Sequence, residues 1–457
     1  MREKQFLVAV LLSSFHLSAS GQDLSATELL QARNEEFREE VLQVADGVFV
    51  AVGFGVSPSS MIVGSDGIII VDTMVDTASA ARAFAEFRRI TEKPVKGIIF
   101  THGHGDHIGG AAVFAEGVTP EVWAHANFGA EENAFASAGL TIQQQRGARQ
   151  GGFLLPPEKR INNGVARAYY PQRGAESFGS AGGEQVIPTH TVSEPRVRIE
   201  IADVEIELVA VNGETDDGLY VWLPDQRVVF SGDNFYKSWP NAYAIRGTPY
   251  RDVTGWAGAI HSMLSEGAEA LVPGHTRPIV GESDVREVLT DYHDAIRFVF
   301  DMTVEGMNQG MTPDELVDYV KLPVELAERD YLREYYGNVE WAVRAIFDGF
   351  LGWYDGNPSN LFPLSPGDEA QRIVQLAGGV DAILEQARTA LNDGDAQWAA
   401  QLSDYLLALQ PEAVEPKLIK AEALENLAEA LLTATGRNYY LTVAQQLRAE
   451  ADSAIGD

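Results

Sequence analysis

The chain contains no cysteine among its 457 residues. This absence excludes disulfide bonds, thiolate ligands for metals and every mechanism that uses a cysteine nucleophile. The hydrophobic core and any bound metals must therefore hold the fold, and a metal would be bound by nitrogen or oxygen donors. A chain of this length is long enough for a large core and predicts two or three domains.

Basic residues are scarce. The chain has 34 lysines and arginines against 66 aspartates and glutamates, which gives a formal net charge of −32. Binding to nucleic acid needs clustered lysine and arginine, so we expect no nucleic-acid partner. An anionic substrate would gain nothing from the overall field and would need local positive charge at its binding site.

Long apolar runs are also missing. The apolar run from Phe6 to Leu12 is too short to span a bilayer, and no later stretch is a candidate membrane helix. Arg2 and Lys4 precede this run, and small residues around Ala19 follow it. This pattern predicts a signal peptide over residues 1–21 and a secreted or periplasmic protein.

The order of short strands and helices predicts an α/β domain between about residues 40 and 280. Val48–Val52 and Val95–Phe100 are predicted strands, and Thr77–Arg89 is a predicted helix. The alternation over Ile199–Val211 predicts a hairpin that turns at Ala202 and its neighbour. The Gly-, Gln- and Pro-rich stretch from about 138 to 195 predicts a long functional or mobile loop.

After about residue 290 the sequence becomes helical. Thr312-Pro313-Asp314-Glu315 is a strong helix start, with threonine as the cap and proline in the first turn. Helical stretches separated by Gly-Asp and Pro follow to the end of the chain, and they resemble tetratricopeptide-type helix pairs. A generic helical bundle explains the same pattern equally well.

The strongest motif is the run from His102 to His107, which reads His-Gly-His-Gly-Asp-His and follows a predicted strand. Imidazole nitrogens and a carboxylate suit Zn²⁺, and the two glycines permit a tight backbone. The four potential ligands His102, His104, Asp106 and His107 cannot all reach one ion with good geometry. They can serve two ions a few ångströms apart, so the run predicts a two-metal site.

Three further loops each place a metal-binding side chain after a short apolar strand. They carry Glu214, Asp233 and His275, each next to a glycine. One such loop alone is often only a turn. Together with the histidine run, they supply what a metal site at one edge of a β-sandwich would need.

In the order and spacing of these motifs, residues 45 to 280 resemble the metallo-β-lactamase superfamily. The resemblance implies an α/β fold of the αββα sandwich type and two Zn²⁺ ions per chain. It implies His102 and His104 as ligands of the first metal, Asp106, His107 and His275 as ligands of the second, and Asp233 as the bridge.

Glu214 is similar to the alkyl sulfatase branch, because most superfamily members carry histidine at that first-metal position. The branch has glutamate at the bridging position, so Asp233 is a departure that would shorten the bridge. Residues 241–247 resemble the sulfatase sequence Asn-Leu-Tyr-Thr-Leu-Arg-Gly, which implies that Asn241 and Arg246 hold the sulfate. A tyrosine-rich run of the family is replaced here by residues 149–153, which contain no tyrosine.

Residues 351–358 and 392–395 are similar to the helical dimerisation domain of these sulfatases. The resemblance implies a homodimer, although the apolar helix faces could equally pack within one chain. We therefore predict a catalytic domain over residues 22–295 and an all-α dimerisation domain with tetratricopeptide-like helix pairs over 296–457. The sterol-carrier-like third domain of the family is not expected here.

The sum of the charges at the expected metal site indicates that an anionic substrate needs a further basic side chain. Two Zn²⁺ contribute about +4, the carboxylates of Asp106, Glu214 and Asp233 about −3, and a hydroxide nucleophile formed near pH 7 balances the rest. Because a carboxylate at position 214 weakens the attraction for anions, a sulfate ester would need Arg246 as a bidentate partner. We accordingly predict a dinuclear zinc hydrolase that cleaves a small anionic alkyl sulfate ester to an alcohol and inorganic sulfate.

Several alternatives remain open at this point. The same metals could hydrolyse a lactone, a thioester or a phosphoester. A di-iron redox enzyme of this fold would resemble His-x-Glu-x-Asp-His, and His104 at the second position favours zinc. A non-catalytic protein with structural metals is disfavoured because structural zinc sites are usually closed four-ligand sites. Asp216 or Asp217 could orient the nucleophile, but turn formation explains both equally.

Overall fold

The computed structural model of the protein describes residues 24–167 and 186–456. The predicted signal peptide and residues 168–185 of the predicted long loop lie outside this part of the chain. No helix among the described residues is both long and apolar enough to cross a membrane.

The first sheet has seven strands in the order of the sequence. They are β1 (Glu40–Ala45), β2 (Val48–Val52), β3 (Ser59–Val63), β4 (Ile68–Val71), β5 (Val95–Ile99), β6 (Glu121–His125) and β7 (His190–Val192). Neighbours from β1 to β4 are antiparallel, and neighbours from β4 to β7 are parallel. The β-branched, buried runs of β2 and β4 are typical of strands covered on both faces.

The second sheet has six strands in the order β13-β12-β11-β10-β9-β8. They are β8 (Arg196–Ile201), β9 (Val204–Val211), β10 (Gly218–Leu223), β11 (Val228–Phe230), β12 (Ala270–Val272) and β13 (Ile279–Val280). The predicted hairpin is confirmed, because β8 and β9 pair antiparallel around Ala202 and Asp203. Both turn residues have positive φ, as a tight two-residue hairpin turn requires.

Eight helices accompany the sheets within the described residues. They are α1 (Ala26–Arg33), α2 (Thr77–Ile90), α3 (Gly105–Ile108), α4 (Ala111–Phe114), α5 (Ala130–Ser137), α6 (Ile142–Gln150), α7 (Val253–Ser265) and α8 (Glu282–Asn308). Phe87 of α2 packs on the outer face of the first sheet, and Trp256 of α7 and Leu289 of α8 pack on the outer face of the second. Side chains such as Ile99 and Val221 fill the layer between the sheets. The αββα sandwich is therefore confirmed.

The remaining part of the described chain is all-helical. Its helices are α9 (Pro313–Tyr319), α10 (Val324–Ala327), α11 (Val339–Leu351), α12 (Pro366–Ala377), α13 (Val380–Asn392), α14 (Ala396–Leu409), α15 (Val414–Ala430) and α16 (Ala434–Gly456). The predicted start of α9 is confirmed, since Thr312 and Glu315 form a reciprocal capping box. From α13 onward each helix packs against the next.

The predicted long loop is only partly irregular. Residues Ile142–Gln150 form α6, which packs against α16 although it has no apolar stripe of its own. Its glutamines and arginines are good helix formers, and contacts with α16 stabilise it. The sequence did not predict this helix because it has no periodic apolar pattern. This helix matters for function because it forms one wall of the cavity described below.

Candidate metal centre

Every predicted metal ligand follows the end of a strand. His102, His104, Asp106 and His107 follow β5, Glu214 follows β9, Asp233 follows β11 and His275 follows β12. The sandwich brings these loops together, and the seven side chains form two groups of donor atoms. All seven are placed where the sequence predicts a site.

The first group contains His102, His104, Glu214 and Asp233, with one donor atom of each within 4.8 Å of the others. His102 Nε2 lies 2.9 Å from His104 Nδ1, and His104 Nδ1 lies 3.6 Å from the Glu214 carboxylate. Asp233 Oδ2 lies 3.8 Å from His102 Nε2. Glutamate thus takes part in a mixed imidazole and carboxylate group.

The second group contains Asp106, His107 and His275. Asp106 Oδ2 lies 3.8 Å from His107 Nε2 and 3.6 Å from His275 Nε2. The carboxylate of Asp233 reaches this group as well, at 3.1 Å from His107 Nε2 and 3.2 Å from His275 Nε2. Asp233 therefore lies between the two groups, where a bridging ligand would have to be.

The donor atoms fit two divalent cations. His107 Nε2, Glu214 Oε2 and Asp233 Oδ1 are buried and have no hydrogen-bond partner. Buried polar atoms without partners cost folding free energy, and converging carboxylates repel one another. Two cations would satisfy these atoms and neutralise the carboxylates, so the arrangement is consistent with a dinuclear metal site.

Hydrogen bonds at Nδ1 orient three of the histidines so that Nε2 faces the other donor atoms. His107 Nδ1 lies 2.7 Å from Asp72 Oδ2, and His275 Nδ1 lies 2.9 Å from the carbonyl of Val56. Each acceptor receives a hydrogen bond from Nδ1–H, so the proton stays on Nδ1 and the lone pair of Nε2 could bind a metal. His102 Nδ1 lies 3.0 Å from the hydroxyl of Thr101, which itself donates to Asp72.

Asp72 is a functional residue that the sequence reading missed. It directly follows β4 and has a φ of 55°, a backbone conformation that aspartate tolerates better than most residues. Its carboxylate also accepts the backbone N–H of Thr101 at 2.8 Å, which holds the start of the histidine loop. An acidic residue directly after a buried apolar strand was the available signal.

Arg251 was also missed. Its guanidinium donates to Glu214 and, at 2.8 Å, to the carbonyl of Asn241, and Arg251 and Glu214 are both fully buried. Burial raises the pKa of the Glu214 carboxyl to about 7, and the positive charge of Arg251 opposes that rise. The Glu214–Arg251 pair has no net charge. A carboxylate at position 214, in place of the usual histidine, makes the site one charge less positive. The guanidinium of Arg251 offsets that negative charge.

A cavity of about 600 Å³ opens onto the centre. Donor residues of both groups form its floor, and residues of α5, α6 and the segment between them form its wall. The wall is rich in apolar side chains, which include Val56, Val75, Phe135, Leu140, Phe153 and Val165. The cavity can thus enclose an apolar chain next to a polar, metal-binding floor.

Arg246 lines this cavity, as the predicted sulfate contact requires. Its backbone N–H donates to the side chain of Gln150 at 3.0 Å, and its Nη2 lies 3.5 Å from Glu131 Oε1. Asn241 is placed differently. It is buried beneath Arg251 and is absent from the cavity wall, and its amide Nδ2 has no hydrogen-bond partner.

Glu131, on α5, is a third residue that the sequence reading missed. Its Oε2 lies 3.8 Å from His104 Nε2 while its Oε1 faces Arg246. Burial favours the neutral acid, but the nearby imidazole of His104 and two nearby arginines outweigh burial and lower the pKa of Glu131 to about 2. No motif marks this residue, because it belongs to a helix without a strong apolar pattern.

Two other features of the sequence have defined positions in the structure. Asp217 accepts the backbone N–H of Gly129 at 3.1 Å and so anchors the start of α5, and neither it nor Asp216 lines the cavity. In the run that replaces the family's tyrosines, Arg149 turns away from the cavity and donates to Gln446 of α16 at 3.0 Å.

Two stacked mixed sheets, helices on both outer faces and a double ligand group at the strand ends define the class of metallo-β-lactamase folds. Residues 52–275 match the family model of the metallo-beta-lactamase superfamily, and residues 312–450 match the model of the alkyl sulfatase dimerisation domain.

A linear primary-alkylsulfatase of Pseudomonas sp. (strain ATCC 19151) is 35% identical over 402 residues, which are 86% of this chain and 75% of that protein. An (R)-specific secondary-alkylsulfatase of Pseudomonas sp. is 32% identical, and the match covers 60% of its length. The solved structure of a stereoselective inverting sec-alkylsulfatase from Pseudomonas sp. superimposes with a TM-score of 0.84 at 28% identity, over 94% of this chain and 69% of that one. The chain therefore belongs to the alkylsulfatase family of metallo-β-lactamase-fold hydrolases.

Proposed function

We propose that the protein hydrolyses alkyl sulfate monoesters to an alcohol and inorganic sulfate, with two zinc ions per chain. The observation that carries this proposal is the cavity, in which an apolar wall and Arg246 face one floor of metal-binding side chains. A monoester with an anionic head and an alkyl tail fits that division of polar and apolar surface. The sulfatase relatives support the same substrate class.

In this proposal the metal ligands are those that the sequence predicts. His102, His104 and Glu214 hold one ion, Asp106, His107 and His275 hold the other, and Asp233 bridges them. Bound there, the two cations would act as Lewis acids and make water a nucleophile near neutral pH. The nitrogen and carboxylate donors, with no thiolate in the chain, favour zinc.

The chain's own residues bind and orient the ester. The guanidinium of Arg246 donates to sulfate oxygens, and Gln150 fixes the backbone from which Arg246 projects. The apolar wall takes the alkyl chain and excludes water from the reacting bond. Asn241 acts indirectly, because its carbonyl positions Arg251 beside Glu214.

A substrate panel tests this function. We expect zinc-loaded protein to release inorganic sulfate from decyl sulfate, and to show no comparable turnover of a lactone, a thioester or an alkyl phosphate. Arg246→Ala should raise KM for decyl sulfate by about tenfold or more, since a charge-assisted pair is lost. Turnover of one of the rival esters without sulfate release would contradict the proposal.

We also propose that the protein is a homodimer formed through its helical part, as the matched dimerisation domain suggests. Large apolar side chains at the end of α11 and in the segment after it are more than half exposed, namely Phe350, Leu351, Trp353 and Phe362. Several large exposed apolar side chains within one short segment are typical of a protein interface. A second copy of the chain would cover it.

For localisation we propose export, on the basis of Arg2, Lys4 and the short apolar run that follows them. Fractionation of cells that express the full chain, with mass measurement of the mature N-terminus, checks this. Intact protein in the cytoplasmic fraction alone would contradict export.

A further inference from the structure

The carboxylate of Glu131 lies beside Arg246, the cavity residue that faces the proposed anion. Its side chain is only 11% exposed, with one oxygen 3.5 Å from Arg246 and the other 3.8 Å from His104. Arg246 is the cation that the proposed function assigns to the sulfate. An anion held by that guanidinium therefore lies within a few ångströms of a buried negative charge.

Two facts make the position of Glu131 unusual. Within the described chain, no other carboxylate lies in ion-pair range of Arg246, so Glu131 alone offsets the charge of the proposed anion-binding arginine. The other buried arginine of the site, Arg251, is already paired with Glu214. The anion end of the cavity thus carries less positive charge than its two arginines imply.

Coulomb repulsion grows in proportion to the charge of the ligand. A sulfate monoester carries one negative charge, whereas a phosphate monoester carries nearly two at pH 7 and above. The two head groups have the same tetrahedral shape, so charge is the property by which a site can distinguish them. A fixed carboxylate beside Arg246 repels the dianion about twice as strongly as the monoanion.

We propose that Glu131 is a specificity-determining residue that selects monoanionic esters over dianionic phosphate monoesters. This inference rests on the proposed function, because it concerns the same cavity and the same arginine. Arg246 attracts the anionic head group, and Glu131 weakens the binding of a dianion more than that of a monoanion.

A purely positioning role makes a different prediction. If Glu131 only oriented Arg246 and His104, then glutamine, which has the same shape but a single acceptor oxygen, would weaken the binding of both kinds of anion to the same degree. The ratio of the two affinities would not change. The selective role requires that the ratio shift towards the dianion.

The test compares decanesulfonate, a monoanion, with decyl phosphate, a dianion at about pH 8. Binding of each to zinc-loaded protein is measured by calorimetry, which does not depend on turnover. In Glu131→Gln we expect the ratio of the two dissociation constants to shift towards decyl phosphate by at least about tenfold. In Glu131→Asp, which keeps the charge, the wild-type preference should be largely retained.

Glu132→Gln is the matched control. Glu132 follows Glu131 on the first turn of α5 and lines the cavity, but the residue is exposed to solvent. Water screens its charge, so its removal should shift the ratio by no more than about threefold. Metal content and thermal melting of each variant verify that the site is intact.

An unchanged ratio in Glu131→Gln, with decanesulfonate still bound, would overturn this inference and leave the proposed function standing. Failure of wild-type protein to bind decanesulfonate at all would instead contradict the proposed function. An equal shift in Glu131→Gln and Glu132→Gln would also overturn the inference, because the effect would then belong to net charge and not to the carboxylate beside Arg246.

Discussion

Single residues outside the ligand set decide whether the histidines can bind metal. Asp72 accepts a hydrogen bond from Nδ1–H of His107 and also holds Thr101 at the start of the ligand loop. Outer-shell carboxylates of this kind contribute about 10- to 100-fold to metal affinity. The metal centre thus depends on a residue that binds no metal itself.

We predict that Asp72→Asn lowers zinc affinity by about 10- to 100-fold while the fold is retained, because asparagine tolerates the positive φ at this position. Competition with a chromophoric chelator measures the affinity. Asp66→Asn, at an exposed ion pair with Lys96, is the control and should bind zinc as the wild type does. Equal affinities for all three proteins would contradict the role of Asp72.

Arg251 supports a second prediction at this scale. Replacing it with methionine leaves Glu214 buried without its partner, which should destabilise the metal-free protein by about 3–5 kcal/mol in urea unfolding. Arg246→Met removes a longer pair and leaves Glu131 beside His104, so it should cost less, about 1 kcal/mol. Similar losses of unfolding free energy in the two variants would show that the buried Glu214–Arg251 pair does not stabilise the metal-free protein more than the Glu131–Arg246 pair does.

The ligands themselves could be predicted from the sequence, and their partners could not. The histidine run and the three strand-end loops have a recognisable spacing, and the structure brings their side chains together. Asp72, Glu131 and Arg251 come from three separate segments and share no spacing with the ligands. Only the fold brings them to the centre, so residue patterns alone do not mark them.

At the scale of elements, the loops after β11 and β12 are packed so closely that glycine is required between them. A Cβ built at Gly274 would lie 2.1 Å from Asp233 Oδ1 and 2.5 Å from the backbone of Gly232. The carboxylate between the two ligand groups is thus held in place by a neighbouring backbone. Loop packing, as much as ligand chemistry, fixes the bridge position.

Gly274→Ala should therefore displace Asp233 and reduce the metal content from two ions to one or none per chain, as measured by atomic emission. Gly258, on the exposed face of α7, has nothing near a built Cβ. Gly258→Ala should leave the metal content unchanged and stabilise the helix by about 0.5–1 kcal/mol. Two ions per chain in Gly274→Ala would refute the packing account.

Elements with a strong pattern were predicted well, and those without one were not. The hairpin at β8 and β9, the helix α2 and the capping box of α9 follow period and cap signals in the sequence. Helix α6 lacks such a signal and depends on its contact with α16. The cavity wall was therefore the part of the site that the sequence left open.

At the scale of the whole molecule, the exposed apolar segment after α11 predicts self-association. The side chain of Trp353 is 72% exposed and that of Phe362 is 94% exposed, which is costly on a free surface. We expect sedimentation to show a dimer for the wild type and a monomer for Trp353→Ser with Phe362→Ser. Ile187→Ser, at an exposed apolar position outside the helical part, is the control and should remain dimeric. A monomeric wild type would contradict the proposed dimer.

The two predicted domain ranges and the tetratricopeptide-like character of the last helices stay predictions. The residues of α8, α9 and α11 share one core with α7 and the outer face of the second sheet. A boundary at residue 295 would cut through the long helix α8. The sequence predicted where mixed α/β structure changes to helical structure. It did not predict that helices after this point share a core with the second sheet.

The most direct test of the whole account is a metal titration of metal-free protein with sulfate release from decyl sulfate as the readout. The account predicts that zinc binds with a stoichiometry of two per chain, and that the rate of sulfate release reaches its plateau only when the second equivalent has bound. Sulfate release that needs no added metal, or full release at one equivalent, would contradict the dinuclear centre on which the proposed function depends.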